Sequence, residues 1–171
     1  MVAGGADLSR AAPVGEGVPR NRGVVESVPM KAVVLIESLT GNTWKAGELI
    51  AAKLQESGIG ITDVGRVRHP DHAAIQAADL VLVGTWVHGL FVVGQSPWGA
   101  GALAKLPAMA GKRAATFCTF ALNPGRSLDT MTNIGASRGA DGIGGRALNR
   151  GKLPPHTDEV VGRLLDAMAV S

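Results

Sequence analysis

The chain has 171 residues, 46% of them hydrophobic and 18% charged, which is enough for one compact domain with a buried core. The formal net charge is only +3, the basic residues are scattered, and no apolar stretch approaches the roughly 20 residues of a membrane-spanning helix, so we expect neither a nucleic-acid nor a membrane partner. The single cysteine, Cys118, excludes an internal disulfide and any metal site built on several thiolates, which suits a soluble protein of the reducing cytoplasm that holds no metal.

Residues 1–29 combine Gly, Ala, Pro, Arg and Val without a lasting period. They lack the apolar core of a secretory signal, and their three acidic residues balance three arginines, whereas a mitochondrial presequence avoids acids. Two interpretations stay open: a disordered tail, or a stretch upstream of a natural start at Met30. In both cases residues 30–171 are expected to form the folded domain.

The first regular segment is the β-branched run KAVVLIE, residues 31–37, which predicts a strand buried on both faces. Residues 43–55 then predict a helix, because small and apolar residues recur at spacings of three and four along one face. These residues are Gly47, Ile50, Ala51 and Leu54. Gly58 stands where a glycine commonly ends a helix.

Further strands and helices alternate along the rest of the chain. They are, in order, the polar edge strand GITDVGRV (60–67), the short helix PDHAAIQAA (70–78), the apolar strand DLVLVGTW (79–86), the strand KRAATFCTF (112–120), the strand ADGIGGRALN (140–149) and a last helix with Thr157 as its N-cap. Apolar strands alternating with helices predict the α/β class, with a parallel sheet covered by helices on both faces. Cys118 is then a small core residue, and the glycine-rich stretch 139–145 is a turn with close strand packing, since it does not open a helix.

The joint between the first strand and the first helix has the sequence SLTGNT, residues 38–43. A helix N-terminus presents unpaired backbone N–H groups and about half a unit of positive charge, and the hydroxyls of Ser38, Thr40 and Thr43 add hydrogen-bond donors there. The loop has neither the Lys-Ser/Thr ending of an ATP-binding loop nor a dinucleotide glycine pattern, so it favours a terminal monophosphate. A hydroxyl-rich helix cap without any ligand is the alternative. Lys45 either assists the phosphate or is an ordinary surface lysine.

The same loop resembles the phosphate loop of flavodoxins, in which a Ser or Thr is followed by the pattern x-Thr-Gly-x-Thr. Ser38, Thr40, Gly41 and Thr43 match every defined position, and Leu39 and Asn42 fill the variable ones. Residues 31–169 resemble the short-chain members of that family, with no large insertion in the last strand. The resemblance implies a flavodoxin-like fold, a five-stranded parallel sheet of order 2-1-3-4-5, and FMN as the cofactor.

The segment after the third strand, GTWVHGLFVVGQSPWG, residues 84–99, is too rich in glycine and aromatic residues to be only a helix start. Ligands of open parallel sheets bind at the carboxyl ends of the strands, where this segment would meet the SLTGNT loop. By resemblance Trp86 stacks on the flavin ring; the alternatives are a packing role for Trp86 and stacking by Phe91 or Trp98. The neighbouring contact candidates are Thr85, Val87, His88 and Gly89, with His88 interpreted as an exposed loop residue rather than a catalytic one.

The third expected contact is the segment CTFALNPGRS after the fourth strand. Many flavodoxins have a tyrosine in this loop, but the chain contains no tyrosine. Phe120 is the nearest aromatic residue, and its place on the strand is equally compatible with a core position; Leu122 or Asn123 with Pro124 are the other candidates to cover the ring. The contact candidates here are Thr119, Phe120, Ala121 and Asn123.

Two classes of function are implied by the resemblance. The first is an electron carrier without catalytic residues of its own, which binds FMN non-covalently, receives electrons from an NAD(P)H-dependent flavodoxin or ferredoxin reductase, and passes them to a redox enzyme. The second is an FMN-dependent NAD(P)H:quinone oxidoreductase of the same fold. We favour the carrier, because the loop matches closely and no nicotinamide-binding motif is found. A relative of the fold that has lost flavin is a third possibility. Flavodoxins are usually acidic and this chain is basic, so its partner surfaces are expected to differ.

Overall fold

The computed structural model describes residues 29–87, 100–103, 105–121 and 127–170. Five parallel strands form one sheet in the order β2-β1-β3-β4-β5, as the resemblance implies. The strands are β1 (Lys31–Ile36), β2 (Gly60–Arg66), β3 (Leu80–Trp86), β4 (Arg113–Phe120) and β5 (Asp141–Asn149). The polar segment predicted to be an edge strand, β2, does lie at one edge of the sheet.

Helices cover both faces of the sheet, which confirms the predicted α/β class. They are α1 (Asn42–Glu56), α2 (His72–Ala77), α3 (Ala100–Leu103), α4 (Ser127–Ser137) and α5 (Leu153–Ala169). Helices α1 and α5 pack on one face, and α2 and α4 pack on the other. No helix within the described residues is long and apolar enough to cross a membrane. The predicted tail, residues 1–29, lies almost wholly outside the described ranges.

The alternation of side chains along each strand divides the interior into two cores. In β1 the side chains of Val34 and Ile36 join the core beneath α1 and α5, whereas those of Val33 and Leu35 join the core beneath α2 and α4. Cys118 is fully buried in the second core, which confirms its predicted role as a core residue. Because both faces are covered, the central strands can be apolar throughout.

Phe117 packs between two glycines in the core beneath α1. A Cβ atom at Gly84 of β3 would overlap the Phe117 ring, and one at Gly47 of α1 would lie 3.5 Å from its Cζ atom and overlap Ile36. The predicted apolar face of α1 is confirmed, because Gly47 and its partners on that face are buried. The two glycines bring the helix and the neighbouring strand close enough to enclose the ring.

Helix α1 ends as predicted at a glycine. Gly58 has a φ of 85°, and its N–H donates to the carbonyl of Gln55 at 3.0 Å. The N–H of Ile59 donates to the carbonyl of Leu54 at 3.0 Å, and both side chains enter the core beneath α1. This is a Schellman arrangement, in which a left-handed glycine lets the chain leave the helix while the last carbonyls stay paired.

The predicted start of α5 was wrong. The helix begins at Leu153 with Lys152 as its N-cap, and Thr157 is a buried residue of the first turns whose hydroxyl donates to the Pro154 carbonyl at 2.8 Å. Proline fits in a first helical turn, since the N–H that it lacks would have no partner there. The proline pair was therefore inside the helix rather than before it.

Helices α3 and α4 were not assigned from the sequence. Helix α4 has the sequence SLDTMTNIGAS, which is poor in strong helix formers. Its apolar residues Leu128, Met131 and Ile134 nevertheless recur at spacings of three and pack into the core beneath α2 and α4. That spacing was the signal from which the helix could have been found.

The glycine-rich stretch 139–145 forms a turn and part of β5, as predicted. Gly139 has a φ of 80° and links α4 to β5. Gly144 has a φ of 134° and lies where the pairing of β5 with β4 shifts register. A Cβ atom at Gly145 would lie 2.6 Å from the Thr116 hydroxyl oxygen and 3.3 Å from the Thr116 carbonyl oxygen. Turn geometry and close strand packing therefore account for the glycines.

Candidate functional site

The loop between β1 and α1 leaves the N-terminus of the helix open. Gly41 is the N-cap with a φ of 83°, and no side chain caps the helix. The N–H of Gly41 donates to the Ser38 hydroxyl at 3.1 Å, and the Asn42 side-chain amide donates to the Thr40 hydroxyl at 3.1 Å. The N–H groups of the first turn have no carbonyl four residues earlier in the helix to accept them. The loop is thus held by its own hydroxyls and presents backbone donors.

Thr43 joins this loop to the end of β4. Its hydroxyl oxygen lies 2.7 Å from that of Thr119, 76 residues along the chain, and either hydroxyl can be the donor. Both residues are buried, with 0% of Thr43 and 3% of Thr119 exposed. This buried hydrogen bond between two hydroxyls holds the first turn of α1 against β4 and uses the hydrogen of only one of them. The carboxyl ends of β1 and β4 are therefore linked although β3 lies between them.

Trp86, the last residue of β3, lies beside this pair. It is paired in register with Thr119, and the N–H of Val87 donates to the Thr119 carbonyl at 3.0 Å. Leu80 and Leu82 point toward α1 and α5, so the alternation of the strand places Trp86 on that same side. Trp86 is half-buried, and neither core of the described residues includes it. Its position is the rim of the sheet rather than its interior.

Phe120 also lies at the rim. It is the last residue of β4, it is only partly buried, and its side chain is not among those that form the two cores of the described residues. Its carbonyl accepts the N–H of Arg150 at 3.1 Å, which ties the ends of β4 and β5 together. Phe120 therefore lies at the rim and does not occupy the core position that was the alternative.

Most of the predicted site residues meet at one edge of the sheet. Leu39, Thr40 and Gly41 are exposed; Ser38, Asn42, Trp86, Val87, Phe120 and Ala121 are partly buried; Thr43, Thr85 and Thr119 are buried. Thr85 points to the opposite side of β3 from Trp86 and is paired in register with Cys118. The predicted residues His88, Gly89 and Asn123, and the alternatives Phe91, Trp98, Leu122 and Pro124, lie outside the described residues.

Comparison of the sequence with protein-family models and with curated proteins gave no match. Among solved structures, the chain is similar to a flavodoxin of Streptococcus pneumonia TIGR4, with 20% identity, a TM-score of 0.57, and 78% of this chain and 99% of that chain covered. It is also similar to the two-electron reduced flavodoxin of Megasphaera elsdenii, with 20% identity, a TM-score of 0.62, and 77% of this chain and 96% of that chain covered. A third similar structure is a variant of a Pseudomonas aeruginosa flavodoxin, with 14% identity, a TM-score of 0.62, and 81% of this chain and 98% of that chain covered. The chain has the flavodoxin fold.

The flavodoxin fold explains why the predicted residues meet where they do. In the order β2-β1-β3-β4-β5, successive connections leave β1 and β3 in opposite directions, which creates a crevice at the carboxyl ends of these strands. The N–H of Glu37, just after β1, donates to the Gly84 carbonyl of β3 at 2.8 Å, so the two strands are still paired at the floor of that crevice. The open N-terminus of α1 lies on one side of it.

A buried carboxylate at the base of this loop, paired with a half-exposed arginine, was missed in the sequence. Glu37 is only 5% exposed, and its Oε2 atom lies 3.1 Å from Nε of Arg68, which follows β2. The two atoms are close enough for an ion pair, but the angles between donor and acceptor do not allow a hydrogen bond at Oε2. The Arg68 charge offsets the cost of burying a carboxylate beside a loop that presents donors to an anion. Glu37 ends the otherwise apolar run KAVVLIE, and an acidic residue at that position was the sign in the sequence that a buried carboxylate needed a basic partner.

An aromatic and basic contact lies beside the loop on the first turn of α1. Trp44 is partly buried, its indole N–H donates to Glu48 at 2.7 Å, and the Arg66 guanidinium lies 5.7 Å from the centre of its ring. This distance allows a cation–π interaction. Neither residue was expected to lie near the site, because Arg66 ends a different strand and reaches α1 only in the folded sheet.

The remaining chemistry of the described residues is simple. Burial raises the pKa of the Cys118 thiol from 9.0 to about 12, so the thiol is protonated at neutral pH and unsuited to act as a redox nucleophile. No group of His, Cys, Asp or Glu side chains that could hold a metal ion occurs within the described ranges. The arrangement at the carboxyl edge offers hydrogen-bond donors and an aromatic face instead.

Proposed function

We propose that the chain binds FMN non-covalently at the carboxyl edge of the sheet and carries electrons between a reductase and a redox enzyme. The observation that carries the proposal is the junction of Thr43, Thr119 and Trp86. It brings the open N-terminus of α1, the end of β4 and an indole together within one crevice of a flavodoxin fold.

The residues of the loop fit a phosphate group. The first turn of α1 presents N–H groups and contains no acidic residue, and the hydroxyls of Ser38 and Thr40, which accept hydrogen bonds within the loop, lie just before it. A dianion is stabilised at such an end by the unpaired donors and by the helix dipole. The terminal phosphate of FMN suits this site better than the bridged diphosphate of FAD.

The rim of the crevice fits a flat aromatic ring. Trp86 is half-buried on the side of the sheet that carries α1, and Phe120 is partly buried at the end of the neighbouring strand. An indole face gives a large apolar contact to a flavin ring. The carbonyls of Thr119 and Phe120 accept the N–H groups of Val87 and Arg150, so the main chain of Ala121, just beyond β4, is the candidate to bond the polar edge of the ring.

Bound FMN would supply the redox chemistry, and the protein would hold and tune it. The loop residues bind the phosphate, Trp86 excludes water from one ring face, and the Thr43–Thr119 bond keeps the two binding segments in register. An apolar face disfavours added negative charge on the ring, so we propose that Trp86 lowers the potential of the more reducing flavin couple.

Spectroscopic titration tests the proposal. We expect the purified full chain to be yellow with one FMN, and the apoprotein to bind FMN far more tightly than FAD. Equal affinities for FMN and FAD would contradict the phosphate site. NADPH should bleach the bound flavin quickly only when a flavodoxin or ferredoxin reductase is added. Fast bleaching by NADPH alone would instead assign the oxidoreductase function.

A further inference from the structure

The carboxyl edge of the sheet carries exposed basic residues on both sides of the crevice. On one side, Arg66 ends β2 and Arg68 follows it; on the other, Arg150 follows β5 and Lys152 is the N-cap of α5. All four are exposed, and Arg68 keeps half of its side chain accessible while pairing with Glu37. Because β2 and β5 are the two edge strands, these residues form two basic flanks about 20 Å apart, given a strand spacing of about 4.8 Å.

Acidic residues at this edge are few, and two of them are engaged within the protein. Glu37 is buried against Arg68, and the Asp71 carboxylate accepts the N–H groups of Ala73 and Ala74 at 2.8 and 3.1 Å, capping α2. The sequence has no Asp or Glu between Asp79 and Asp129, so the segments that come after β3 and β4 contain none. Glu37 offsets the charge of Arg68, and the exposed Asp129 in the first turn of α4 also lies at this edge, so the positive charge of Arg66, Arg150 and Lys152 is only partly balanced there.

Lys45 and the flank residue Lys152 occupy positions that helix stability alone would disfavour. Lys45 lies one turn into α1 and Lys152 is the N-cap of α5, and both are exposed. The N-terminus of a helix carries partial positive charge, so acidic residues are favoured there and lysines are not. Neither helix has an acid in its first turn. An external anionic surface would remove this unfavourable arrangement.

A groove next to the first flank extends the basic surface. It has a volume of about 590 Å³, and Arg68, His72 and Lys105 lie along it. Its described lining includes no acidic residue. Carboxylate side chains of another protein could enter this groove and accept charge-assisted hydrogen bonds from the arginine and the lysine.

We propose that the two flanks dock an acidic surface patch of the protein with which the chain exchanges electrons. The proposal rests on the proposed function for the role of the partner, because the flanks surround the crevice assigned to FMN. Opposite charges on the two surfaces would accelerate association and orient the partner over the crevice. Nucleic acid fits less well, since the basic groups form separate flanks rather than a continuous stripe, and the Trp44 ring is covered by Arg66.

Binding of a labelled poly-glutamate peptide tests the surface without requiring flavin. We expect the full chain, with or without FMN, to bind the peptide at low ionic strength and to lose it as salt is raised. Arg66→Glu/Arg150→Glu should weaken binding roughly tenfold. The matched control is Lys31→Glu/Arg138→Glu, which changes the net charge by the same amount at the amino ends of the strands, away from the crevice. It should leave binding nearly unchanged. Equal weakening by both variants, or tighter binding of duplex DNA than of the peptide, would overturn the proposal.

Oxidation of the reduced FMN-loaded protein tests the link to electron exchange. The probes are the Fe(III)–EDTA anion and the tris(phenanthroline)cobalt(III) cation, each of which accepts one electron. We expect the ratio of the anion rate to the cation rate to fall roughly tenfold in the flank variant and not in the control. An unchanged ratio with normal FMN binding would overturn the docking surface alone. Failure of the wild-type chain to bind FMN would overturn the proposed function, and the peptide would still decide the surface.

Discussion

The loop 38–43 and the stretch 139–145 are both rich in small residues next to a strand, yet the structure places them in different settings. The loop leads into α1 and leaves that helix without a side-chain cap. In 139–145, by contrast, Gly139 forms a turn, Gly144 lies at a register shift and Gly145 packs closely against Thr116. A stretch of small residues is therefore a candidate anion site only when it opens a helix whose first N–H groups stay unpaired.

Removing the indole of Trp86 at the rim of the crevice should cause the largest loss of FMN affinity. Trp86→Ala should weaken FMN by about 2 kcal/mol, roughly thirtyfold in Kd, because an aromatic face is lost while the phosphate contacts remain. The more reducing flavin couple should also shift to a less negative potential, since water entering the space would solvate added charge. Fluorescence titration and potentiometry measure both. Unchanged affinity, quenching and potential would make Trp86 a packing residue, and Phe91 or Trp98 would then be the candidates.

Adding a methyl group to the structural stretch should affect stability and not binding. Gly145→Ala should lower the free energy of unfolding by about 1–2 kcal/mol, because its Cβ would crowd the hydroxyl and carbonyl of Thr116. Gly142→Ala is the matched control, since its Cβ would meet only a Thr132 methyl at 3.9 Å. Urea denaturation of both apoproteins measures the difference. A loss of FMN affinity in folded Gly145→Ala protein would show that this stretch also contributes to the site.

The hydroxyl pair separates anchoring of the loop from binding of the phosphate. Thr43→Val and Thr119→Val each delete the same 2.7 Å hydrogen bond, so each should lower the free energy of unfolding by about 1 kcal/mol. Only Thr43→Val should also lose a donor to the phosphate, which would weaken FMN roughly tenfold while leaving riboflavin nearly unchanged. Calorimetric titration with the two ligands is the measurement. If both variants discriminate between FMN and riboflavin as the wild type does, the Thr43 hydroxyl is only an anchor.

The smallest effect at neutral pH concerns Cys118, on the strand that lies between the two segments in the chain. Its thiol should not react with an aromatic disulfide reagent while the protein is folded, because burial raises its pKa to about 12. Burial favours the protonated form, so stability should be unaffected below the ordinary pKa of 9.0 and should decrease as the pH rises toward 12. Thiol titration and unfolding curves in that range test this. Fast labelling at pH 8 without denaturant would show that β4 opens in the folded protein.

The sequence predicted the strands more securely than the helix boundaries. Runs such as KAVVLIE and KRAATFCTF are apolar on both faces, and this pattern persists wherever such a strand lies in a parallel sheet. The start of α5 was misplaced because Thr157 has the chemistry of a cap, whereas the prolines before it were in fact compatible with the first turn. Helix α4 was missed because its residue types are poor helix formers and tertiary packing stabilises it.

By itself the sequence determined the alternation of strands and helices, the hydroxyl-rich loop before α1 and the absence of acids between Asp79 and Asp129, since each depends only on residues close together in the chain. The tertiary structure alone decided that Thr43 would bond Thr119, that Arg68 would neutralise Glu37, and that basic residues would flank the crevice from both edges. The physical reason is the strand order. It brings together groups that are tens of residues apart, and contacts of that kind depend on the pairing of the strands rather than on any local pattern.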